Sequence, residues 1–520
     1  MQCQLFTAQE AECAAGKEKA FASARNAISS LAISLTSTYA APMSRISRRQ
    51  FIAVTAATMA DLKTFAQSAS QHATLTLHPE KPGPTVPQTF VGLSYEMQQT
   101  TAPDFFSPKN KELIAQFHAL APQGMLRLGG NTSDAGYWKS SIDAPMPERL
   151  PAHPFGSVKH PDIPFAVMPD GLRRLRGFLD ATDWRCIYGI NLGTNVAAVA
   201  AEEAVAATKV LGPRLECIQI GNEADRYGMT FRRDPKTWGP ETYYKEWRTF
   251  AEAIVARVPD VRLGMPDLAA KPEWFTYIAE ALEHDSIRSH VVTLTYHYYV
   301  DGPPSNPLMD IPHMLNANAD VEKDAGVVRD AADKLQTTWR MTEGNSCWNS
   351  GKPGVSDVFA AALWSADYAL LHASRGCAGI NLHGGDSRLF AVLAAGAVPE
   401  GNHPAPPYTP ISFRDGRYIA EPVSYGLRFA GMFAGTTIVP IDFDPGPVNA
   451  TAYAAKLPNG KTILAVINKD AARSLHLTLP KAHAKFTLRG PALDAREAHI
   501  VPSSTGQEVL PGTATLFHLS

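Results

Sequence analysis

The segment that decides the fold is LECIQIGNE, residues 215–223. It is a short apolar run that ends in a glycine and two polar residues. Such a run is typical of a strand that is buried on both faces and carries polar groups at its carboxyl end. The same pattern recurs along about three hundred residues. We predict eight such strands, at residues 90–96, 125–131, 184–192, 215–223, 262–267, 291–299, 339–345 and 377–383.

Longer segments with helical character separate these strands, among them residues 170–183, 196–211, 241–258 and 356–375. The last one opens with Ser356-Asp357 as a predicted N-cap and is followed by Gly376, a residue type that often ends helices. Eight strands alternating with helices predict an α/β fold of the (β/α)8 TIM barrel type. A doubly wound sheet is the alternative. It would normally carry a glycine-rich turn after its first strand, and this chain has GLSYE there.

Beyond about residue 412 the pattern changes to short alternating strands between turn residues, at 462–468, 474–479, 484–489 and 514–519. This pattern predicts a C-terminal all-β sandwich domain. Residues 73–78 alternate in the same way, and we expect them to pair into that sandwich. The predicted division is an N-terminal extension with a signal peptide at 1–70, an N-terminal strand segment at 71–88, the barrel at 89–412 and the β-sandwich at 413–520.

The N-terminal region contains the pair Arg48-Arg49, followed by a mildly apolar run at residues 53–60. This order is typical of a bacterial twin-arginine export signal, so we predict export to the periplasm or the medium, with cleavage among residues 66–70. The apolar run is too short to span a bilayer, so we expect no membrane anchor. A disordered basic N-terminus is the alternative interpretation.

The composition is that of an ordinary soluble globular protein, with 520 residues, 45% hydrophobic, 19% charged and a formal net charge of −2. Near neutrality and the lack of a basic stripe argue against a nucleic-acid partner. Four cysteines beyond the signal lie in or beside apolar runs without CxxC spacing, so we expect core thiols. They are Cys186, Cys217, Cys347 and Cys377. No HExxH, Walker A or GxSxG motif occurs, so we predict no metal and no cofactor. The oligomeric state is left open.

Polar residues mark the carboxyl ends of several predicted strands, and in a barrel these ends converge on the active-site face. Glu223 and Glu343 end the fourth and seventh strands, so they should face each other across the barrel mouth. A retaining glycosidase uses two carboxyl groups about 5–5.5 Å apart, one as acid/base and the other as nucleophile. The strand ends therefore predict a retaining glycosidase that uses this pair.

Further polar residues at strand ends are candidates for substrate binding. Glu96 and Asn131 end the first two strands, and Asn222 would place its amide near the sugar 2-hydroxyl, where hydrogen bonds strengthen in the transition state. On the sixth strand, the imidazole of His297 and tyrosine hydroxyls such as that of Tyr298 would keep the nucleophile ionised and oriented.

Taken in order, these segments resemble glycoside hydrolase family 79, the β-glucuronidase and heparanase group of retaining barrels. The resemblance runs from about residue 88 to the C-terminus. It is carried by FVGLSYE at 90–96, LRLGGN at 126–131, IGNE at 220–223, YHYY at 296–299, TEGNSCW at 342–348, GVSDVFAAALW at 354–364 and NLHGG at 381–385. It implies that Glu223 protonates the leaving group, that Glu343 attacks the anomeric carbon, and that Glu96 and Asn222 bind sugar hydroxyls.

The resemblance favours a β-glucuronidase, and we predict exo-hydrolysis of terminal β-D-glucuronides, with the choice between exo and endo action left open. Family members bind the uronate carboxylate with two tyrosines, and the matching positions here are Trp348 and Tyr408, the latter after an insertion at 386–407. The indole N–H of Trp348 can still donate to a carboxylate, and Lys352 or Arg388 could supply charge. A β-glucosidase or β-galactosidase of the same architecture stays open, as does a non-catalytic carbohydrate-binding protein. In each case the expected partner is a small-molecule or oligosaccharide glycoside.

Overall fold

The structure is a computed structural model, and it describes residues 71–519 except residues 82, 147–164, 231, 386–404, 480–481 and 504–505. The predicted signal peptide and N-terminal extension, residues 1–70, lie outside the described residues, as do Arg388 and most of the insertion at 386–407. Within the described part, no helix combines the length and the apolar character that crossing a bilayer requires.

The strands of the described residues, numbered in chain order, are β1 (Gln71–Leu77), β2 (Val91–Glu96), β3 (Met125–Gly129), β4 (Gly136–Trp138), β5 (Phe165–Val167), β6 (Arg185–Ile190), β7 (Leu215–Ile220), β8 (Leu263–Leu268), β9 (Val291–Asp301), β10 (Thr338–Cys347), β11 (Ile380–His383), β12 (Ile411–Arg414), β13 (Arg417–Ala420), β14 (Thr437–Val439), β15 (Ile441–Asp444), β16 (Ala450–Lys456), β17 (Thr462–Asn468), β18 (Leu475–Leu477), β19 (Ala482–Arg489), β20 (His499–Pro502), β21 (Glu508–Val509) and β22 (Thr513–Leu519). The α-helices, numbered the same way, are α1 (Lys111–Leu120), α2 (Pro169–Thr182), α3 (Ala197–Leu211), α4 (Pro240–Arg257), α5 (Trp274–Glu283), α6 (Ile311–Leu315), α7 (Asn318–Leu335), α8 (Phe359–Ser374) and α9 (Pro422–Ala430).

Eight parallel strands close into a barrel in the order β2, β3, β6, β7, β8, β9, β10 and β11, and β11 pairs with β2 to complete the ring. At least one α-helix follows each of these strands along the chain. The strands are apolar on both faces because their inner side chains fill the barrel and their outer side chains pack under the helices. The predicted (β/α)8 TIM barrel is confirmed, and every predicted barrel strand overlaps an observed one.

Helix α8 begins at Phe359 and not at the predicted N-cap Ser356-Asp357. Its first backbone N–H groups, those of Phe359 and Ala360, donate to the carbonyls of Ala495 at 2.6 Å and Leu493 at 2.8 Å. The two predicted capping side chains instead accept hydrogen bonds from backbone N–H groups of the preceding loop. The N-cap prediction was wrong because a distant segment of the C-terminal region satisfies the helix end, which local sequence cannot reveal.

Helix α9 completes the ring of helices, although it lies beyond the predicted end of the barrel at residue 412. That boundary falls inside β12, and the sequence prediction, which gave residues 413–520 to strands alone, missed the helix. Gly426 of α9 lies so close to the carbonyl of Ala362 on α8 that a Cβ atom would overlap it. Ser365 of α8 also donates to the carbonyl of Val423 at 2.7 Å. A nine-residue helix with an internal glycine has a weak local signal, and this close packing stabilises it.

The remaining C-terminal strands form two sheets. One is antiparallel, with the order β14-β16-β17-β22-β19-β20, and the other has the order β15-β1-β18-β21. The N-terminal strand β1 pairs antiparallel with β15 and parallel with β18, so it lies inside the second sheet. Buried side chains from both sheets share one apolar core, including Leu464, Val466, Leu475, Leu477 and Phe517.

Asp367 of α8 links the barrel to the six-stranded sheet. Its carboxylate accepts hydrogen bonds from Nζ of Lys469 at 2.5 Å, the hydroxyl of Tyr453 at 2.6 Å and the hydroxyl of Thr451 at 2.7 Å. The side chains of Asp367 and Lys469 are both almost fully buried. Burial alone would raise the pKa of Asp367, but the charge of Lys469 and these hydrogen bonds hold it below its usual value.

We expect Asp367→Asn to lower the free energy of unfolding by about 3–5 kcal/mol, because Lys469 would keep a buried charge without a counter-ion. Adding Lys469→Met to that variant should recover much of the loss. Urea denaturation of both variants and of the wild type measures the two effects. Asp330→Asn, at an exposed pair with Arg329, is the control, and its expected effect is below about 1 kcal/mol. A loss in Asp367→Asn as small as that of the control would contradict the prediction.

Candidate active site

The buried guanidinium of Arg127, on β3, points into the barrel. Its Nη1 donates to Oε2 of Glu343 at 2.6 Å, and its Nη2 donates to Oδ1 of Asn222 at 2.7 Å and also to Asp267. Its Nε donates to Gln219 at 3.2 Å. Burial alone would lower the pKa of Arg127, but the charges of Asp267 and Glu343 raise it above its ordinary value. Nη1 also donates to the hydroxyl of Ser94 on β2 at 3.2 Å, so Arg127 is a permanent cation that joins residues from four other strands or their ends.

Asp267, on β8, is the second buried charge of the site. Its Oδ1 accepts hydrogen bonds from Gln219 at 2.8 Å and Thr342 at 2.6 Å, and Nε2 of His297 lies 3.0 Å away as a close ionic contact. Burial alone would raise the pKa of Asp267, but the charges of Arg127 and His297 hold it well below its usual range. Asp267 therefore stays ionised and neutralises its cationic neighbours.

Glu343 lies on β10, the seventh barrel strand, as the sequence predicts. Besides the bond from Arg127, its Oε1 accepts a hydrogen bond from the hydroxyl of Tyr299 at 3.0 Å, and Nδ1 of His383 lies 3.6 Å from its Oε2. Burial alone would raise the pKa of Glu343, but the charges of His383, His297 and Arg127 lower it to about 2. Glu343 is therefore an ionised carboxylate at neutral pH, with a donor on each oxygen.

Glu223 follows β7, the fourth barrel strand, and its backbone lies in the left-handed region with φ of +47°. Its backbone N–H donates to the carbonyl of Asp267 at 3.0 Å, which holds the turn in place. Its Oε1 lies 3.1 Å from Nδ1 of His297, and its Oε2 accepts a hydrogen bond from Nη1 of Arg226 at 2.6 Å. One oxygen of Glu223, one oxygen of Glu343 and a ring nitrogen of His297 all lie within 4.8 Å of one another. The fold therefore brings the two predicted glutamates together.

The sixth strand, β9, alternates between the barrel interior and the helix layer. His297 and Tyr299 point inward to the two glutamates, whereas the ring of Tyr298 packs against Tyr368 of α8, with 6.1 Å between ring centroids. The prediction that Tyr298 binds substrate is therefore wrong, and its neighbour Tyr299 occupies the inner position. The segment YHYY contains three tyrosines, and only the pairing of β9 with its neighbours decides which of them face the interior.

His297 is a fully buried imidazole between two carboxylates. Burial alone would lower the pKa of His297, but the charges of Asp267 and Glu343 raise it to about 10. An imidazolium has no lone pair to offer a metal ion. Among the described residues, Glu223, His297 and Glu343 are the one group of at least three side chains close enough to share an ion. The charge on His297 makes them poor ligands.

Glu96, at the end of β2, is buried close to this pair. Its Oε2 accepts hydrogen bonds from the backbone N–H of Thr132 at 2.8 Å and from its hydroxyl at 2.6 Å, and Nε2 of His383 lies 3.8 Å from its Oε1. Burial raises the pKa of Glu96, although the charge of His383 opposes the shift. The other predicted residue of this region, Asn131, is exposed, and its neighbour Thr132 makes the contact with Glu96.

Of the two candidates for carboxylate recognition, Tyr408 lies inside the site and Trp348 follows the end of β10. The ring of Tyr408 is buried, 6.4 Å from that of Tyr299 and 5.9 Å from that of His383. Burial raises the pKa of Tyr408 well above its usual range, so its phenol stays a donor. Trp348 is 42% exposed. The ammonium of Lys352 donates to a backbone carbonyl in the loop after β9 at 2.9 Å.

Sequence reasoning missed the residues that hold the two glutamates in place, namely Arg127, Gln219, Asp267, Tyr299 and Thr342. A signal was present for some of them. Arg127 is a charge in the middle of an apolar strand, and Asp267 is the last residue of a predicted strand. Their partners come from strands far apart in sequence, so the network itself had no local signal.

In fold, the chain is similar to solved glycosidase structures. One is the 4-O-α-L-rhamnosyl-β-D-glucuronidase from Fusarium oxysporum in complex with Rha-GlcA, with a TM-score of 0.64 and 16% identity over 86% of this chain and 99% of that chain. Another is the GH51 arabinofuranosidase from Xanthomonas axonopodis pv. citri, with a TM-score of 0.60 and 14% identity over 86% of this chain and 100% of that chain. Because the two identities are only 16% and 14%, the similarity establishes the fold alone.

In sequence, the chain is similar to two curated proteins that are both named β-glucuronidase. The one from Neurospora crassa is 25% identical, with 60% of this chain and 60% of the relative covered. The one from Aspergillus niger is also 25% identical, with 55% of each chain covered. The chain thus matches less than two thirds of the length of either relative. No protein-family model matches the chain.

We expect His297 to remain protonated on both ring nitrogens at pH 8. Because its pKa of about 10 lies above the ordinary value of 6.5, it stabilises the fold fully below about pH 6.5, and this contribution is lost as the pH rises through 10. Between about pH 7 and 10 this group alone should lower the free energy of unfolding by roughly 1.4 kcal/mol per pH unit. Urea denaturation at several pH values measures the slope.

The slope should become shallower in His297→Asn and stay unchanged in the control His118→Asn, whose imidazole is exposed. Equal slopes in wild type and His297→Asn would contradict the prediction. The absence of one of the two ring N–H signals of His297 from ¹⁵N NMR spectra at pH 8 would also contradict the prediction.

Proposed function

We propose that this protein is an exported, retaining exo-β-glycosidase of glycoside hydrolase family 79 that hydrolyses terminal β-D-glucuronides. The observation that carries the proposal is the pair of Glu223, which follows the fourth barrel strand, and Glu343, which lies within the seventh, with one carboxylate oxygen of each within 4.8 Å of the other. The names of the two β-glucuronidase relatives and of the rhamnosyl-glucuronidase support a glucuronide substrate. Export rests on the N-terminal sequence alone.

The short distance between the two carboxylates favours the retaining mechanism. Inverting enzymes place their carboxyl groups about 6.5–9.5 Å apart to admit a water molecule, and retaining enzymes about 5–5.5 Å apart. Here the nearest oxygens leave room for an anomeric carbon between the carboxylates and not for an intervening water as well. This spacing supports a double displacement through a covalent glycosyl-enzyme.

In the first displacement, a carboxylate oxygen of Glu343 bonds to the anomeric carbon while the bond from that carbon to the glycosidic oxygen breaks. Glu223 gives its proton to the departing oxygen. In the second displacement, Glu223 takes a proton from water, the water oxygen bonds to the anomeric carbon, and Glu343 leaves. Two inversions return the sugar with its original β configuration.

Glu343 suits the nucleophilic role because its pKa of about 2 keeps it ionised at neutral pH. Arg127 holds one of its oxygens and Tyr299 the other, which fixes the direction of the carboxylate. A carbohydrate-binding protein without activity would not need an ionised, buried carboxylate at this place. We therefore favour the enzyme over the binding protein.

Sugar recognition falls to the residues around the pair. Glu96 and Asn222 would bind sugar hydroxyls, as the family resemblance implies, and both are buried beside Glu343 or Arg127. Tyr408, as a neutral phenol, and Trp348, through its indole N–H, would donate to the uronate carboxylate. Asn131 is exposed beside Thr132 and could reach only an outer part of the substrate.

A neutral-sugar β-glycosidase is the second candidate, and one observation favours it. The described cation nearest in sequence to Trp348, Lys352, donates to the backbone carbonyl of Asn306 at 2.9 Å, and this hydrogen bond holds its ammonium at the loop after β9 and not at either glutamate. Loss of polar contacts to a substrate group changes specificity without altering the catalytic pair. Matched substrates separate the two candidates.

We expect the full chain to hydrolyse 4-nitrophenyl β-D-glucuronide faster than the matching β-D-glucoside, and to release the β-anomer first in ¹H NMR spectra. Glu343→Gln should abolish turnover, because the nucleophile is gone. Glu223→Gln should lower kcat/KM by roughly 10²–10⁴-fold for substrates with poor leaving groups. Glu241→Gln, an exposed glutamate on α4, is the control. Preference for the glucoside would favour the second candidate, and full activity of Glu343→Gln would refute both.

We expect Tyr299→Phe and Tyr298→Phe to differ sharply, although the residues are neighbours. Tyr299→Phe removes a hydrogen bond to the nucleophile, and a hydrogen bond to a charged group contributes about 1.5–3 kcal/mol, so kcat should fall roughly 10- to 100-fold. Tyr298→Phe leaves the packing against Tyr368 in place, so kcat should stay within about twofold. Steady-state kinetics of the two variants measures this, and equal effects would contradict the inward position of Tyr299.

A further inference from the structure

Arg226 differs from the other cations that contact the two glutamates. It is the last residue of a short 3-10 helix, Ala224–Arg226, directly after Glu223. Its side chain is 40% exposed, whereas those of Arg127 and His297 are fully buried. Within the described residues, Glu223 is the one side chain to which its guanidinium donates a hydrogen bond. Arg226 is therefore a cation that faces solvent and depends on Glu223 for its counter-ion.

Both carboxylate oxygens of Glu223 are occupied when no substrate is bound. His297 lies at Oε1 and Arg226 at Oε2. If Glu223 is the acid, one of its oxygens must carry a proton toward the glycosidic oxygen. His297 is buried and held by Asp267 on its other side, so it has no room to withdraw. Arg226, which is partly exposed, is the residue that can release Glu223 to the substrate.

The release has an electrostatic consequence. A protonated Glu223 is neutral, so Arg226 loses its counter-ion at the moment the acid is ready to act. The charge of the neighbouring Asp225 also acts on Arg226, but its oxygens accept hydrogen bonds from the backbone N–H groups of Ala269, Ala270 and Lys271, so it does not replace the hydrogen-bonded partner that Arg226 loses. A negative group on the substrate would restore the pairing and favour binding to the protonated enzyme.

The other two arginines of the same loop have no such requirement. Arg233 pairs with Glu246 and also donates to the carbonyl of Gly193. Arg232 lies 3.7 Å from the buried carboxylate of Asp134. Both keep their partners throughout the proposed reaction. Arg226 is the arginine of this loop whose counter-ion is lost when Glu223 becomes protonated.

We propose that Arg226 is a specificity-determining residue that binds an anionic group, a carboxylate or a sulfate, on the leaving group of the substrate. This inference rests on the proposed function, because it takes Glu223 to be the acid that protonates the glycosidic oxygen. Arg226 contacts that acid from its solvent side. The leaving group carries the glycosidic oxygen that Glu223 protonates, so it would lie next to this acid and close to Arg226. The protein is therefore suited to glycosides whose aglycone is acidic, such as an acidic oligosaccharide or an aromatic acid.

The test uses the full chain and two isosteric substrates, the β-D-glucuronides of 4-hydroxybenzoate and 4-hydroxybenzamide. Their leaving groups differ in one negative charge. We measure the ratio of their kcat/KM values for wild type, Arg226→Gln and Arg226→Lys at low and high salt. Relative to Arg226→Gln, the wild type should favour the benzoate by about two- to fivefold, since a partly exposed ion pair is weak. Arg226→Lys should keep part of this preference, and high salt should reduce it.

Three outcomes would overturn the inference while leaving the proposed function intact. The first is an unchanged kcat/KM on each of the two substrates in Arg226→Gln, with activity still abolished by Glu343→Gln. The second is an equal loss on both substrates, which would mean that Arg226 only positions Glu223. The third is a change in the preference for glucuronide over glucoside that does not depend on the leaving group, which would place Arg226 at the sugar carboxylate.

Failure of the proposed function itself would look different, because the wild type would then hydrolyse no β-glycoside or Glu343→Gln would remain active. Arg329→Gln, a surface arginine on α7, controls for the loss of one positive charge far from the site.

Discussion

The site depends on one physical constraint, the compensation of the charge on Arg127 inside the barrel. A buried cation is strongly destabilising unless anions and hydrogen-bond acceptors surround it. Asp267 and Glu343 supply the two negative charges, and Gln219, Asn222 and Ser94 accept its remaining N–H groups. The contacts that compensate the buried charge of Arg127 also keep Glu343 ionised. Stability and the ionised state of Glu343 therefore have a common origin in this site.

The two glutamates are chemically identical, and their surroundings give them different properties. Glu343 is held between a buried guanidinium and a tyrosine hydroxyl, so it is both ionised and fixed in direction. Glu223 is held by one buried imidazolium and by the partly exposed Arg226. Retaining hydrolysis requires one carboxylate that stays ionised and one that changes its protonation state. The difference in burial of their partners matches that requirement.

The C-terminal strands also contribute to the barrel. The loop between β19 and β20 supplies the backbone carbonyls that accept from the start of α8, and Lys469, directly after β17, pairs with the buried Asp367 of the same helix. Helix α8 follows β10, which carries Glu343, and it presents Tyr368 to the outward ring of Tyr298. The attached sheets thus hold in place the helix behind the strands of the candidate nucleophile and of His297. This connection gives a physical reason for the C-terminal sheets to pack against the barrel.

The sequence by itself determined the order of the eight barrel strands, the closed barrel, and the location of Glu223 after the fourth strand and of Glu343 on the seventh. Apolar periodicity and polar strand ends are local properties, so they can be recognised without knowledge of the contacts between distant segments. Only the tertiary structure decided that Tyr299 and not Tyr298 faces the interior, and that Thr132 and not Asn131 contacts Glu96. It likewise decided that distant carbonyls cap α8, that α9 closes the ring, and that Arg127 gathers its partners. Each of these depends on strand register or on contacts between segments remote in sequence, and the free energy of such contacts is absent from any local pattern.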